Sequence, residues 1–140
     1  MIINVGSKWQ FFNNNHDKSY INSHDTRQTI VLKEPRESSE FRLENNSGKE
    51  IVVYKIDGGV IDNTNVLKCD FGIFTEDNIL YFIELKGTDY IHALEQMLST
   101  IDILIVSLQT SVGQLNARIV LSKMRVPDIN VTKEKILQNY

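Results

Sequence analysis

Asp70, Glu84 and Lys86 are the residues of this chain whose types and spacing could support chemistry. Glu84 and Lys86 stand two positions apart at the end of an apolar stretch, 79–85, that has the composition of a β-strand. Side chains two apart on a strand point to the same face of the sheet. Glu84 and Lys86 therefore place two charged groups on one face of a strand whose other residues are suited to a protein core.

The position of Asp70 follows from the turn that precedes this strand. Residues 69–74 and 79–85 are predicted to form an antiparallel hairpin around the polar turn 75–78. If the turn is centred on Asp77, Asp70 lies opposite Glu84, with the two Cβ atoms about 5 Å apart. The hairpin thus predicts that two carboxylates meet beside Lys86.

Paired carboxylates repel each other when both are ionised, and a divalent cation removes that conflict. Mg²⁺ or Mn²⁺ prefers oxygen ligands, which Asp70, Glu84 and the carbonyl of Leu85 could supply, with water and phosphate oxygens completing the shell. Lys86 is on the correct face to hold an attacking water or to neutralise developing negative charge. This set of residues fits the hydrolysis of a phosphodiester.

The same residues resemble the PD-(D/E)XK nuclease superfamily, which includes restriction endonucleases, archaeal-type Holliday junction resolvases and RecB-like nucleases. The resemblance rests on Asp70, thirteen intervening residues and Glu84-Leu85-Lys86, and it covers roughly residues 50–121. Cys69 stands where the family often has proline. The resemblance implies an α/β (mixed α+β) fold, with a central mixed β-sheet flanked by helices in a restriction endonuclease-like αβββαβ core.

Two further site residues are implied by this resemblance. Gln96, in Ala93-Leu94-Glu95-Gln96-Met97, resembles the glutamine that orients the site in RecB-like members, and His92 lies one helical turn away. Many members also carry a glutamate before the hairpin. Glu50 is the first candidate here, Glu44 the second, and Asp57 a further carboxylate that is more simply a turn residue before two glycines.

The chain is expected to form a single domain, 1–140. Residues 1–40 are read as an irregular N-terminal arm with one short strand at 29–32, residues 41–121 as the nuclease-like core, and residues 122–140 as a basic C-terminal segment. Within the core, Ile51-Val52-Val53-Tyr54 favours a strand slightly over a capped helix. A helix capped by Thr88 or Asp89 is expected to run to about residue 105, followed by a strand at 117–121 and a terminal helix at 132–138.

The amino-acid composition favours a globular protein over a membrane-spanning one. Hydrophobic residues make up 41% and charged residues 24% of the 140 residues, as in a globular domain. No apolar run approaches the roughly 20 residues needed to span a bilayer, so no membrane partner is expected. A single cysteine and the absence of signal-peptide features favour a cytoplasmic location. The histidines are not spaced as a zinc cluster.

The distribution of charge along the chain bears on whether nucleic acid is the partner. The net charge is −3, which argues mildly against binding nucleic acid by bulk electrostatics. However, residues 117–140 carry five basic side chains against two acidic ones, so this segment could face phosphates. Two hypotheses follow. The first is a Mg²⁺-dependent endonuclease that acts on DNA in preference to RNA, with a homodimer as the expected assembly. The second is a catalytically silent nuclease-fold module that acts through a protein partner.

Overall fold

The fold is mixed α+β and is built around one five-stranded mixed sheet. The computed structural model describes residues 5, 8–12, 19–36, 38–86 and 88–121. Its strands are β1 (Ile21–Asp25), β2 (Thr29–Lys33), β3 (Glu40–Glu44), β4 (Ile51–Lys55), β5 (Phe71–Thr75), β6 (Ile79–Lys86) and β7 (Gln114–Leu121). Helix α1 (Tyr90–Ile101) continues into a π-helical segment (Asp102–Ser107) between β6 and β7.

The sheet has the order β1-β4-β5-β6-β7. Strands β4, β5 and β6 form an antiparallel meander, whereas β7 pairs parallel to β6 after α1 has crossed over. The predicted order of strand, strand, helix and strand is confirmed. In the part of the chain that the structure describes, no helix precedes this meander, so the leading helix of the expected αβββαβ core is missing there.

Both faces of the sheet are covered. On one face, Leu80 and Phe82 of β6 pack against Met97 and Ile101 of α1, together with Trp9 from the N-terminal segment. On the other face, a separate two-stranded ribbon, β2–β3, packs against β4, β5 and β6. Alternating side chains of β6 thus enter two cores, which fixes the register of the strand because a one-residue slip would exchange the faces.

Within residues 19–36, the short strand predicted at 29–32 is confirmed as β2, but the rest of this stretch departs from the expectation of an irregular arm. β1 pairs with β4 as the edge strand of the main sheet, and β2 belongs to the ribbon that covers it. The sequence of β1, INSHD, has little apolar periodicity because an edge strand can remain exposed along much of its length. Its place in the sheet is determined by pairing with a strand about 30 residues away.

The other sequence predictions about elements are confirmed, are corrected in their bounds, or lie outside the described residues. The segment 51–55 is a strand, and Asp89 caps α1 by accepting a hydrogen bond from the His92 N–H. The α-helix ends at Ile101 and not near residue 105, because the chain continues as a π-helix. The basic segment 122–140 and its predicted helix lie outside the described residues. Among the described helices, none is long and apolar enough to cross a membrane.

Candidate functional site

Asp70 and Glu84 meet at the end of the β5–β6 hairpin. The strands pair Phe71 with Ile83 and Gly72 with Phe82, and extending this register by one residue places Asp70 opposite Glu84. The backbone N–H of Asp70 donates to the Ile83 carbonyl at 3.2 Å, which continues the pairing past the end of β5. The hairpin register predicted from the polar turn is therefore confirmed.

Backbone hydrogen bonds hold Asp70 from both neighbouring strands. Its Oδ2 accepts a hydrogen bond of 2.8 Å from the Leu85 N–H of β6. Its carbonyl accepts one of 3.0 Å from the Ile56 N–H, directly after β4. The carboxylate therefore has little freedom to rotate away from Glu84.

Helix α1 supports the segment that leads into Asp70. Gln96 Nε2 donates to the Lys68 carbonyl at 3.1 Å. Thr100 Oγ1 accepts a hydrogen bond of 2.8 Å from the Cys69 N–H and donates to the Gln96 carbonyl at 2.8 Å. Gln96 thus acts on the site through the backbone before Asp70, and Thr100, which the sequence did not single out, performs the same task.

The two carboxyl groups are buried, and both have raised pKa values. Glu84 is 2% exposed and Asp70 is 9% exposed. Burial and, after it, the nearby charge of Asp70 raise the pKa of Glu84 to about 8, against the opposing effect of Lys86. Burial outweighs the hydrogen bond from Leu85 and raises the pKa of Asp70 to about 6. The pair therefore holds a proton to higher pH than two free carboxyl groups would.

One oxygen of the pair has no partner. Glu84 Oε1 is buried and makes no hydrogen bond to any described residue. A buried polar atom in this state normally costs between about 1 and 3 kcal/mol, so it requires an explanation. A cation bound at this oxygen would provide one.

Lys86 lies beside the pair and is half-buried. It lies two residues after Glu84 on β6 and therefore on the same face of the sheet, and its charge lowers the pKa of Glu84. Among the described residues, however, no carboxylate oxygen lies within 4.0 Å of its Nζ. Lys86 therefore acts electrostatically on Glu84 without forming an ion pair with a described residue.

Two more carboxylates act on Asp70, and one of them was missed from the sequence. The charges of Glu34, directly after β2, and Asp57, directly after Ile56, both raise the pKa of Asp70. Asp57 forms an ion pair of 3.6 Å with Lys68. No local pattern singles out Glu34, because it reaches the site only when the β2–β3 ribbon packs on the sheet.

Glu50 and Glu44 lie away from this site. Glu50 directly precedes β4 and bonds to His24 at 2.9 Å, while its backbone N–H donates to Glu76 in the hairpin turn. It is therefore separated from Asp70 by the length of β4, about 15 to 20 Å. Glu44 is exposed on β3, where it accepts a hydrogen bond from Thr29. Of the three carboxylates considered, only Asp57 lies at the same end of the sheet as the pair.

Across the described ranges, no three side chains of His, Cys, Asp or Glu converge to form a metal-binding group. Cys69 is fully buried, and its burial raises the pKa of the thiol far above the usual range, so it is not a nucleophile.

The chain matches no family model, no curated protein and no solved structure.

Proposed function

We propose that the protein is a metal-dependent nuclease that hydrolyses phosphodiester bonds of nucleic acid, with DNA as the preferred substrate. The observation that carries this proposal is the buried pair Asp70 and Glu84. Among the described residues, Glu84 Oε1 has no hydrogen-bond partner and the neighbouring Lys86 forms no ion pair. The order β4-β5-β6-α1-β7 supports it, because it matches all but the first helix of the αβββαβ core of PD-(D/E)XK nucleases.

The residues fit Mg²⁺ or Mn²⁺ better than zinc. Mg²⁺ is commonly held by one or two carboxylates, with water and substrate phosphate oxygens filling the remaining positions. Asp70 and Glu84 supply two carboxylates, Glu84 Oε1 is free to accept a cation, and the Leu85 carbonyl is the proposed third protein ligand. Such a site does not need side chains at every ligand position. The lack of a third converging carboxylate among the described residues therefore agrees with a cation whose remaining ligands come from water and substrate.

Each residue then has a defined task. When bound, the cation would polarise the phosphate and lower the pKa of a water molecule. Lys86 neutralises charge that develops on the phosphate or holds the attacking water. The Leu85 N–H, Gln96 and Thr100 are positioning groups, because they fix Asp70 and the backbone before it.

Cleavage assays with matched variants test the proposal. Purified protein would be incubated with plasmid DNA, single-stranded DNA and RNA in Mg²⁺ or Mn²⁺. We expect Asp70→Asn, Glu84→Gln and Lys86→Ala to lower cleavage by at least about a hundredfold, as loss of a transition-state contact does. Glu50→Gln makes the same chemical change as Glu84→Gln at the other end of the sheet, and it should leave the rate unchanged. Cleavage that survives Asp70→Asn and Lys86→Ala would exclude this site.

The second candidate is a nuclease-fold module without activity that binds a protein partner. The acidic net charge of −3 favours it, because a nuclease usually attracts a polyanion. Calorimetric titration with Mn²⁺ separates the two candidates. The absence of both Mn²⁺ binding and cleavage would favour the silent module, whereas Mn²⁺ binding that is lost in Glu84→Gln favours the enzyme. Cutting of both DNA strands by this small domain would further imply a homodimer.

A further inference from the structure

A cleft with a volume of about 510 Å³ opens at the same end of the sheet as Asp70, where β4 ends. Lys55, Asp57 and Phe71 line it from the main sheet, and Lys33 and Glu34 line it from the ribbon. This volume lies within the range of about 300 to 1,000 Å³ that is typical of small-molecule sites. Phe71 follows Asp70 directly in the chain, so the cleft lies at the same end of the sheet as the carboxylate pair. It opens on the face that carries the ribbon, because Phe71 packs there with Ile83, whereas Glu84 lies on the opposite face with Phe82.

Lys55 is held close to Asp70 by strand pairing. It pairs with Phe71 across the β4–β5 ladder, one strand spacing of about 4.8 Å away. The next residue, Ile56, donates its N–H to the Asp70 carbonyl at 3.0 Å. Backbone pairing at this end of the sheet thus holds the main chain of Lys55 close to that of Asp70.

Four charged side chains line the cleft, and two of them, Lys55 and Glu34, form no ion pair with another described residue. Lys33 lies 3.6 Å from Glu40, and Asp57 lies 3.6 Å from Lys68, so each already has a partner. Lys55 is exposed, and the described residues place no carboxylate oxygen within 4.0 Å of its Nζ. An unpaired ammonium group in a cleft next to a phosphodiester-cleaving site is suited to bind a second phosphate.

We propose that Lys55 binds a phosphate of the nucleic-acid strand adjacent to the phosphate that is cleaved, so that the strand crosses the sheet end from Lys86 to the cleft. This inference rests on the proposed function and deepens it, because it identifies a polynucleotide with at least two phosphates as the substrate. Lys55 holds the strand and takes no part in bond cleavage. A mononucleotide ester would lack this contact.

The turn after β4 keeps Lys55 in place. The Lys55 carbonyl accepts a hydrogen bond of 2.9 Å from the Val60 N–H. A Cβ atom on Gly59 would lie 2.1 Å from that carbonyl oxygen, so only glycine permits the turn to close this tightly. The backbone of the proposed phosphate contact is therefore fixed on both sides.

Fluorescence anisotropy with a labelled single-stranded oligonucleotide tests the proposal. Ca²⁺ would replace Mg²⁺ because it takes the same class of oxygen ligands with a different geometry. We expect Lys55→Ala to weaken binding roughly three- to tenfold and to reduce the slope of log K against log salt by about 0.7 to 1. Lys55→Arg should retain most of the affinity, because it preserves the charge.

Lys49→Ala is the matched control. It removes the same charge at the opposite end of the sheet, where Lys49 pairs with Asp77 at 2.7 Å, and it should bind as the wild-type protein does. Equal effects of Lys55→Ala and Lys49→Ala, or no binding by the wild-type protein, would overturn the phosphate contact. Cleavage by wild-type protein with no specific effect of Lys55→Ala rejects the contact alone, whereas Lys55-dependent binding without cleavage rejects the nuclease proposal alone.

Discussion

Asp70 and Glu84 face each other across the end of a hairpin, and both carboxyl groups are buried there. Their folded-state pKa values are raised above those of the unfolded chain. The folded protein therefore binds more protons than the unfolded protein at intermediate pH. This arrangement costs stability when both groups are ionised and is relieved by a proton or a cation.

The pair makes stability depend on pH in a definite direction. Between about pH 4 and pH 8 the folded state holds the extra proton, so the free energy of unfolding falls as pH rises. We expect the metal-free protein to lose several kcal/mol of unfolding free energy across this window. Urea unfolding at pH 5, 7 and 9 in EDTA measures it. Glu84→Gln should remove most of the slope, whereas Asp77→Asn, which changes an exposed turn carboxylate, should retain it.

Divalent cations should reverse this trend. Because a cation replaces the proton held by the pair, Mn²⁺ should raise the melting temperature more at pH 8 than at pH 6. Differential scanning fluorimetry with and without Mn²⁺ provides the measurement. Asp70→Asn should abolish the shift, and Glu50→Gln should preserve it. An equal shift in all three proteins would place the cation elsewhere.

Thr100 provides a test of the support beneath Asp70. Thr100→Val keeps the shape of the side chain but leaves the buried Cys69 N–H without its acceptor. The expected loss is about 1 to 3 kcal/mol of unfolding free energy, together with weaker Mn²⁺ binding. Thr100→Ser retains the hydroxyl and should recover most of the metal affinity. A valine variant that matches wild type in both measurements would show that this hydrogen bond does not position the site.

Gly59 and Gly48 form a matched pair for the turn after β4. Both substitutions to alanine add one methyl group, but only at Gly59 would it collide with a backbone oxygen. Gly59→Ala should therefore destabilise the protein by more than about 2 kcal/mol, whereas Gly48→Ala should cost about 1 kcal/mol for its left-handed backbone. Urea unfolding distinguishes them. Similar values would mean that the turn relaxes freely.

The hairpin and α1 were predictable because their signals are local. The apolar runs on either side of Asp77 set the pairing of Asp70 with Glu84, and Asp89 caps the helix as expected. Glu34 could not be found in this way, since its approach to Asp70 depends on the packing of a ribbon on the sheet. Glu50 was favoured by analogy with a helix that precedes the hairpin, but the strand that occupies this position carries it to the far end.

The fluorescence of Trp9, the single tryptophan of the chain, reports on the packing of the strand that carries Glu84. Its ring stacks on Phe82 with centroids 6.0 Å apart, and Phe82 lies two residues before Glu84 on the same face of β6. Any loosening of this strand should therefore expose the indole ring and shift its emission to longer wavelength. Intrinsic fluorescence thus distinguishes a variant that has lost only a reactive group from one whose strand no longer holds that group in place.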